Sequence, residues 1–118
     1  MKPFVITTLL TALQLNQHWQ RHFPFLKLRI YTPEGRTIRG GVSNIPLHKI
    51  SRKENGPKWL VIYPTITINA FEKLFQTTFG LKAKVLRKAG YTWNDTDHCK
   101  NQKLVQQNNR SPERSLRQ

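Results

Sequence analysis

One arrangement of apolar residues and chain breakers occurs twice along this sequence, and it constrains the fold more than any other feature. In the first copy, large apolar residues recur every four positions, at Leu15, Trp19 and Phe23. This spacing places them on one face of a helix. A proline follows, and the chain then alternates between apolar and basic residues over 25–30. The pattern predicts a helix over 8–22 and then a strand.

The second copy has the same layout with different residues. Its apolar trio is Phe71, Phe75 and Phe79. Thr67 or Asn69 is suited to cap the start of the helix, and Gly80 suits its end. An alternating segment over 81–85 then predicts another strand. We interpret the two copies as diverged half-repeats of one helix-strand unit.

The rest of the chain supplies shorter elements. Segments 37–42, 58–63 and 91–93 are predicted strands, and a short helix is expected over 101–107. We predict an α+β fold with two helices packed on one face of a mostly antiparallel sheet. A single domain would span 1–105. The basic segment 106–118, rich in Gln, Asn, Ser and Arg, is expected to be a disordered tail.

The apolar run over 4–15 resembles a short signal peptide only superficially. No small-residue cleavage pattern follows Leu13, so we expect this run to join the core. Cys99 is the only cysteine, which excludes an internal disulfide. We expect a cytoplasmic protein without a cofactor and without membrane contact.

Three segments carry a resemblance to known sequences: 23–31 (FPFLKLRIY), 67–80 (TINAFEKLFQTTFG) and 81–93 (LKAKVLRKAGYTW). They resemble a group of small bacterial proteins, chiefly from Bacteroidetes, that share the duplicated helix-Phe-Gly/Pro-strand pattern. The resemblance covers most of residues 8–108. The group has no established activity, so the resemblance implies no functional residue. Those proteins are acidic toward the C-terminus, whereas this chain is basic there.

The charge balance indicates the kind of partner. Twenty Lys and Arg residues against six carboxylates give a formal net charge of +14. Because such a charge opposes compaction by self-repulsion, it is typical of proteins that contact a polyanion. RNA or DNA is the expected partner, with a larger protein in the same complex as a further one. No small-molecule substrate is expected.

Strand alternation predicts where the binding residues lie. If the apolar residues of the two repeated strands face the core, their basic residues form a cationic stripe on the outer face. Phosphate contacts are also expected from the loops and the C-terminal region. The predicted nucleic-acid-binding residues are Lys27, Arg29, Tyr31, Arg36, Arg39, Arg52, Lys53, Lys82, Lys84, Lys88, Lys100, Lys103 and Arg110.

Two clusters suggest other chemistry, and neither is complete. His18 and His22 have the spacing of a metal-binding pair, but no third ligand lies near them in sequence. Asp95, Asp97 and His98 form the one acidic and imidazole cluster, which also has the composition of a turn. We therefore expect no metal site and no catalytic residue.

Three functional classes are consistent with these features. The first is a non-catalytic RNA- or single-stranded-DNA-binding accessory protein of a nucleoprotein complex. The second is an adaptor or small subunit that docks an acidic partner through a sheet edge. The third is a small basic ribonuclease toxin, which would need a positioned base.

Overall fold

The described residues form five strands and four helices. A computed structural model describes residues 2–39, 43–51 and 56–109. In chain order, the elements are β1 (Phe4–Thr7), α1 (Ala12–His22), β2 (Leu26–Tyr31), α2 (Leu47–Ile50), β3 (Trp59–Ile62), α3 (Ile68–Phe79), β4 (Lys82–Ala89), β5 (Thr92–Asp95) and α4 (Leu104–Asn108). A 3-10 turn, Asp97–Cys99, connects β5 to α4.

The strands make two antiparallel sheets. β1 pairs with β3 in a two-stranded sheet, and β2, β4 and β5 make a three-stranded sheet with β4 in the centre. The predicted α+β class is thus confirmed, although the described strands form two sheets where we expected one. The difference arises from β1, which we did not predict as a strand. In sequence, Phe4–Thr7 is a short apolar run, and a run of this length does not distinguish a strand from the start of a helix.

One apolar core lies between the two sheets and the two long helices. α1 contributes Leu15 and Trp19, Phe23 directly follows α1, and α3 contributes Phe71, Phe75 and Phe79; all six are buried. The helices meet where the rings of Trp19 and Phe71 lie 4.9 Å apart between centroids. The apolar run at the N-terminus does join this core, through residues such as Phe4, Ile6 and Leu15.

Side chains and one glycine fix the ends of the long helices. Thr11 caps α1 by accepting a hydrogen bond from the Gln14 N–H, and the Gln14 side chain accepts one from the Thr11 N–H. Thr67 caps α3 by accepting from the Ala70 N–H. Gly80 ends α3 with a φ of 69°, a left-handed conformation that a residue with a Cβ adopts at a cost.

The two halves of the chain share a set of backbone contacts at corresponding positions. In each half, the short helix is anchored to the segment between the first strand and the long helix. The bonds are Leu47 N–H to Leu10 O and His48 N–H to Thr8 O in the first half, and Leu104 N–H to Ile66 O and Val105 N–H to Pro64 O in the second. Bridges Thr11–Pro46 and Thr67–Lys103 also correspond. In the second half β5 pairs with β4, and among the described residues of the first half Thr37 forms a bridge with Tyr31 of β2.

Two predicted boundaries differ from those in the structure. The predicted strand over 37–42 is represented by a bridge from Thr37 to Tyr31 and a bond from the Ile38 N–H to Ile30 O; residues 40–42 lie outside the described ranges. At the C-terminal end, α4 continues past residue 106. Gln107 and Asn108 are buried, and the Asn108 side chain accepts a hydrogen bond from the Phe25 N–H. The remaining tail, 110–118, lies outside the described residues.

No helix in the described part of the chain combines the length and apolar character that crossing a bilayer requires.

Candidate nucleic-acid interface

The two repeated strands are neighbours, and their register aligns their basic residues. β2 and β4 pair antiparallel, with Arg29 opposite Lys84 and Tyr31 opposite Lys82. Residues that face each other across a ladder lie on the same side of the sheet. The alternate residues Leu28 and Ile30 are buried in the core. The basic side chains therefore lie on the opposite, outer face of the three-stranded sheet.

We call this surface the basic sheet face and define it by Lys27, Arg29, Tyr31, Lys82, Lys84, Lys88 and Trp93. Arg29 and Lys82 are exposed, and the other five are partly exposed. Lys88 joins the group because it pairs with Trp93 of β5. Cations at this density, with two aromatic rings among them, offer phosphate contacts and stacking contacts on one surface.

The pairing of β5 with β4 places Trp93 on this face, opposite Lys88. The Lys27 Nζ lies 5.8 Å from the centroid of the Trp93 ring, within the range of a cation–π contact. Leu86 lies opposite Lys27 and so shares the face, yet it is buried and separate from the main core. Leu86 is thus an apolar residue on the outer face that its neighbours cover. Long side chains such as lysine can cover apolar surface in this way with their aliphatic stems.

An open groove adjoins the basic sheet face along β2. Its volume is about 770 Å³, and its walls come from α1, from β2 and from the chain over 37–39. Lys27, Arg29, Arg39 and Trp93 all line it. Three predicted site residues thus share one concave surface, where charges of one sign reinforce each other.

The β2 edge is covered at one point within this groove. The Asn16 side chain accepts a hydrogen bond from the Leu28 N–H at 2.8 Å and donates one to Leu28 O at 2.7 Å. Both backbone groups that an added strand would use at Leu28 are therefore occupied.

Two predicted site residues, Lys84 and Lys100, form ion pairs that partly offset their positive charges. Lys100 Nζ lies 2.7 Å and 2.8 Å from the two carboxylate oxygens of Glu72. Asp97 lies 3.4 Å from Lys100 and 3.8 Å from Lys84. Glu72 also accepts a hydrogen bond from the Val85 N–H, so the Lys100 pair is part of the packing of α3 against β4. Lys100 is the less available of the two for a phosphate.

The other predicted site residues lie in several places. Arg36 and Arg39 are exposed, and Arg36 belongs to the tight turn after β2, where its carbonyl accepts from the Thr32 N–H. Lys103 is exposed and precedes α4, beside the start of α3. Three predicted residues lie outside the described ranges: Arg52, Lys53 and Arg110.

The candidate acid-base cluster has the contacts of a turn. The Asp95 side chain accepts a hydrogen bond from the Asp97 N–H at 3.1 Å, and Asp97 is engaged with the two lysines. His98 is exposed. The contacts of Asp95 and Asp97 are thus those of a turn and of two ion pairs.

The histidine pair on α1 is used in packing. His22 stacks on Phe4 with ring centroids 3.8 Å apart, and His18 Nε2 lies 2.9 Å from the Val5 carbonyl oxygen. Burial first, and then the nearby His18 and Arg21 charges, lower the pKa of His22 below its usual value. Within the described ranges, no three His, Cys, Asp or Glu residues come together as a metal site would require.

Comparison with known proteins adds no relative: the chain matches no protein-family model, no curated protein and no solved structure.

Proposed function

We propose that this protein is a non-catalytic nucleic-acid-binding accessory protein of a larger nucleoprotein complex, which binds RNA or single-stranded DNA. The observation that carries the proposal is the pairing of β2 with β4. It gathers Arg29, Lys84, Lys82 and Tyr31 on one outer face. Because the net charge is +14, a polyanion gains long-range attraction as well as local contacts.

The chemistry of the face suits a flexible single strand better than a rigid duplex. Ammonium and guanidinium groups bind phosphate oxygens without regard to sequence. Tyr31 and Trp93 provide ring faces on which unpaired bases stack. The adjoining groove, lined by Arg29 and Arg39, extends the cationic track beyond the sheet.

The adaptor alternative has weaker support. An acidic partner that added a strand would need a free sheet edge. In the three-stranded sheet, Asn16 occupies the β2 edge at Leu28, and the β5 edge carries the exposed Asp95, which repels an acidic chain. The ribonuclease alternative also has weaker support, because Asp97 is engaged in ion pairs with Lys84 and Lys100.

A salt titration tests the proposal. For single strands, the logarithm of the affinity should fall linearly with the logarithm of salt concentration, with a slope of about −0.7 per neutralised phosphate. Replacing Lys27, Arg29 and Lys82 together by Gln should weaken binding and make the slope less steep by about 2. Lys84 is left unchanged because it pairs with Asp97.

A matched variant controls for net charge. Arg21, Lys49 and Lys73 are exposed and lie off the basic sheet face, so their joint replacement by Gln removes the same charge. Equal losses in the two triple variants would mean that no particular face binds, and absence of binding at low salt would end the proposal. Labelled RNA incubated with Mg²⁺ should remain intact. Cleavage that disappears with Asp97→Asn would make the protein a nuclease.

A further inference from the structure

The outer face of the two-stranded sheet is apolar, exposed and distinct from the basic sheet face. Val5 lies opposite Val61 on this face, and Trp59 lies opposite Thr7. Tyr63 follows directly after β3 and continues the alternation of Trp59 and Val61. Trp59 and Tyr63 are each 57% exposed, and the two valines nearly half exposed. We call the set Val5, Trp59, Val61 and Tyr63 the aromatic platform.

The platform is held in place by its neighbours. Leu60 and Ile62 alternate with its residues and are buried in the core, so β3 cannot rotate to hide Trp59. Near that end of β3, the Lys58 N–H donates to the Thr8 side chain at 2.8 Å and the Thr8 N–H donates to Lys58 O at 3.1 Å. The two large rings therefore stay exposed to water and forgo the free energy that their burial would provide. Exposed apolar surface of this kind is typical of an interaction site.

The spacing and the surrounding charges favour one kind of occupant. Trp59 begins β3 and Tyr63 directly follows its last residue, so in an extended chain the two lie about 13 Å apart and each ring can take a different base. Lys2 precedes β1 at the Tyr63 end of the sheet, and Lys58 precedes β3 at the Trp59 end. Each ring thus has a lysine at its own end of the sheet, beyond the platform face itself, and the long lysine side chain lets its ammonium group reach a phosphate at the rim.

A second copy of the chain is a poorer occupant. Apposing two such faces would bring together two molecules that each carry a net charge of +14. Like charges of this size oppose association, whereas a nucleic-acid strand is attracted by them.

We infer that the aromatic platform is a base-stacking site for single-stranded nucleic acid. The inference rests on the proposed function and assigns to this second surface the base contacts that phosphate binding does not require. Trp59 and Tyr63 would stack on bases, with Lys2 and Lys58 near the phosphates. Affinity would then depend on the presence of bases and not on charge alone.

The experiment compares two ligands of equal charge: a 12-nucleotide oligo(dT) and a 12-unit abasic oligodeoxyribose phosphate. Wild-type protein should bind the oligo(dT) at least about tenfold more tightly. The Trp59→Ala, Tyr63→Ala double variant should lose a severalfold part of that difference, the remainder coming from Tyr31 and Trp93, while its affinity for the abasic strand and its salt slope stay the same. Tyr91→Ala provides the control, because Tyr91 is a fully exposed aromatic residue in the β4–β5 turn.

A fluorescence measurement gives a second readout. In a Trp93→Phe background, the remaining tryptophans are Trp59 and the fully buried Trp19. Oligo(dT) should quench the exposed Trp59, and the abasic strand should not. Retained unfolding midpoints would show that the variants fold.

The outcomes separate the two proposals. If the double variant binds both ligands as wild type does, the platform inference is wrong, whether or not wild type prefers oligo(dT), and phosphate binding stands. If neither ligand binds at low salt, the proposed function fails and the inference fails with it. A dimer that sedimentation detects in wild type and that the double variant abolishes would instead make the platform a self-association surface.

Discussion

His22 shows how one side chain ties packing to pH. Its ring stacks on Phe4, and burial, His18 and Arg21 lower its pKa. The unfolded chain, in which histidine has a pKa of about 6.5, then binds more protons than the folded protein near that pH. The free energy of unfolding should therefore be highest above about pH 6.5 and decrease as the pH falls toward the lowered pKa of His22.

Urea unfolding at pH 7.5 and pH 5 measures this effect. The His22→Gln variant has no titrating ring at this position, so its stability should fall less than that of wild type over the same interval. The other histidines remain in both proteins and cancel in the comparison. An equal fall in the two proteins would show that His22 does not contribute to the pH dependence.

The residues of the candidate site were partly predictable. Alternation over 26–30 and 81–85 is a local signal, so the outward direction of Lys27, Arg29, Lys82 and Lys84 follows from the sequence alone. Trp93, Trp59 and the groove were not predictable, because their surroundings depend on which strands pair. The pairing of Lys100 with Glu72 also needs the tertiary fold, since the two residues belong to different elements.

At the scale of single elements, the long helices depend on their threonine caps. Thr11 and Thr67 each accept a hydrogen bond from an otherwise unpaired N–H in the first turn. Replacing either by Ala should lower the free energy of unfolding by about 1 kcal/mol, and the double variant should show roughly the sum. Thr65→Ala is the control, because Thr65 is exposed and precedes α3 without capping it. A loss for Thr65→Ala as large as for Thr67→Ala would contradict the capping role.

Element prediction succeeded where local chemistry defines both ends. α3 has a capping threonine, an apolar trio and a left-handed glycine, and it runs Ile68–Phe79 as that chemistry indicates. β1 has no such boundary signals. Its strand conformation is stabilised by pairing with β3, far away along the chain, and a short apolar run carries no record of that partner.

At the scale of the whole molecule, the two halves are interleaved. Each sheet takes at least one strand from each half, since β1 pairs with β3 and β2 pairs with β4. The registers are also symmetric: the Phe4–Ile62 pair has Ile6–Leu60 as its counterpart when the halves are exchanged. With the matching anchors of α2 and α4, this symmetry supports our proposal that the chain derives from an internal duplication.

Interleaving leads to a prediction about fragments 1–55 and 56–118. Alone, fragment 1–55 has β1 and β2 without their partners. Fragment 56–118 keeps the pairing of β4 with β5 but lacks β1 and β2, the partners of β3 and β4 from the first half, and Phe71 loses its contact with Trp19. A folded chain of this length buries only about 60% of its surface and is marginally stable, so the loss of those contacts should leave each fragment unfolded. Circular dichroism should therefore show each fragment largely unfolded, and an equimolar mixture should recover the spectrum and the cooperative melting of the intact protein.

Truncation after residue 109 is the control, since it keeps every described element and should fold unaided. Independent folding of 56–118 would mean that the second half is a domain in its own right. Its folding would then not require the strands that the first half contributes to the two sheets.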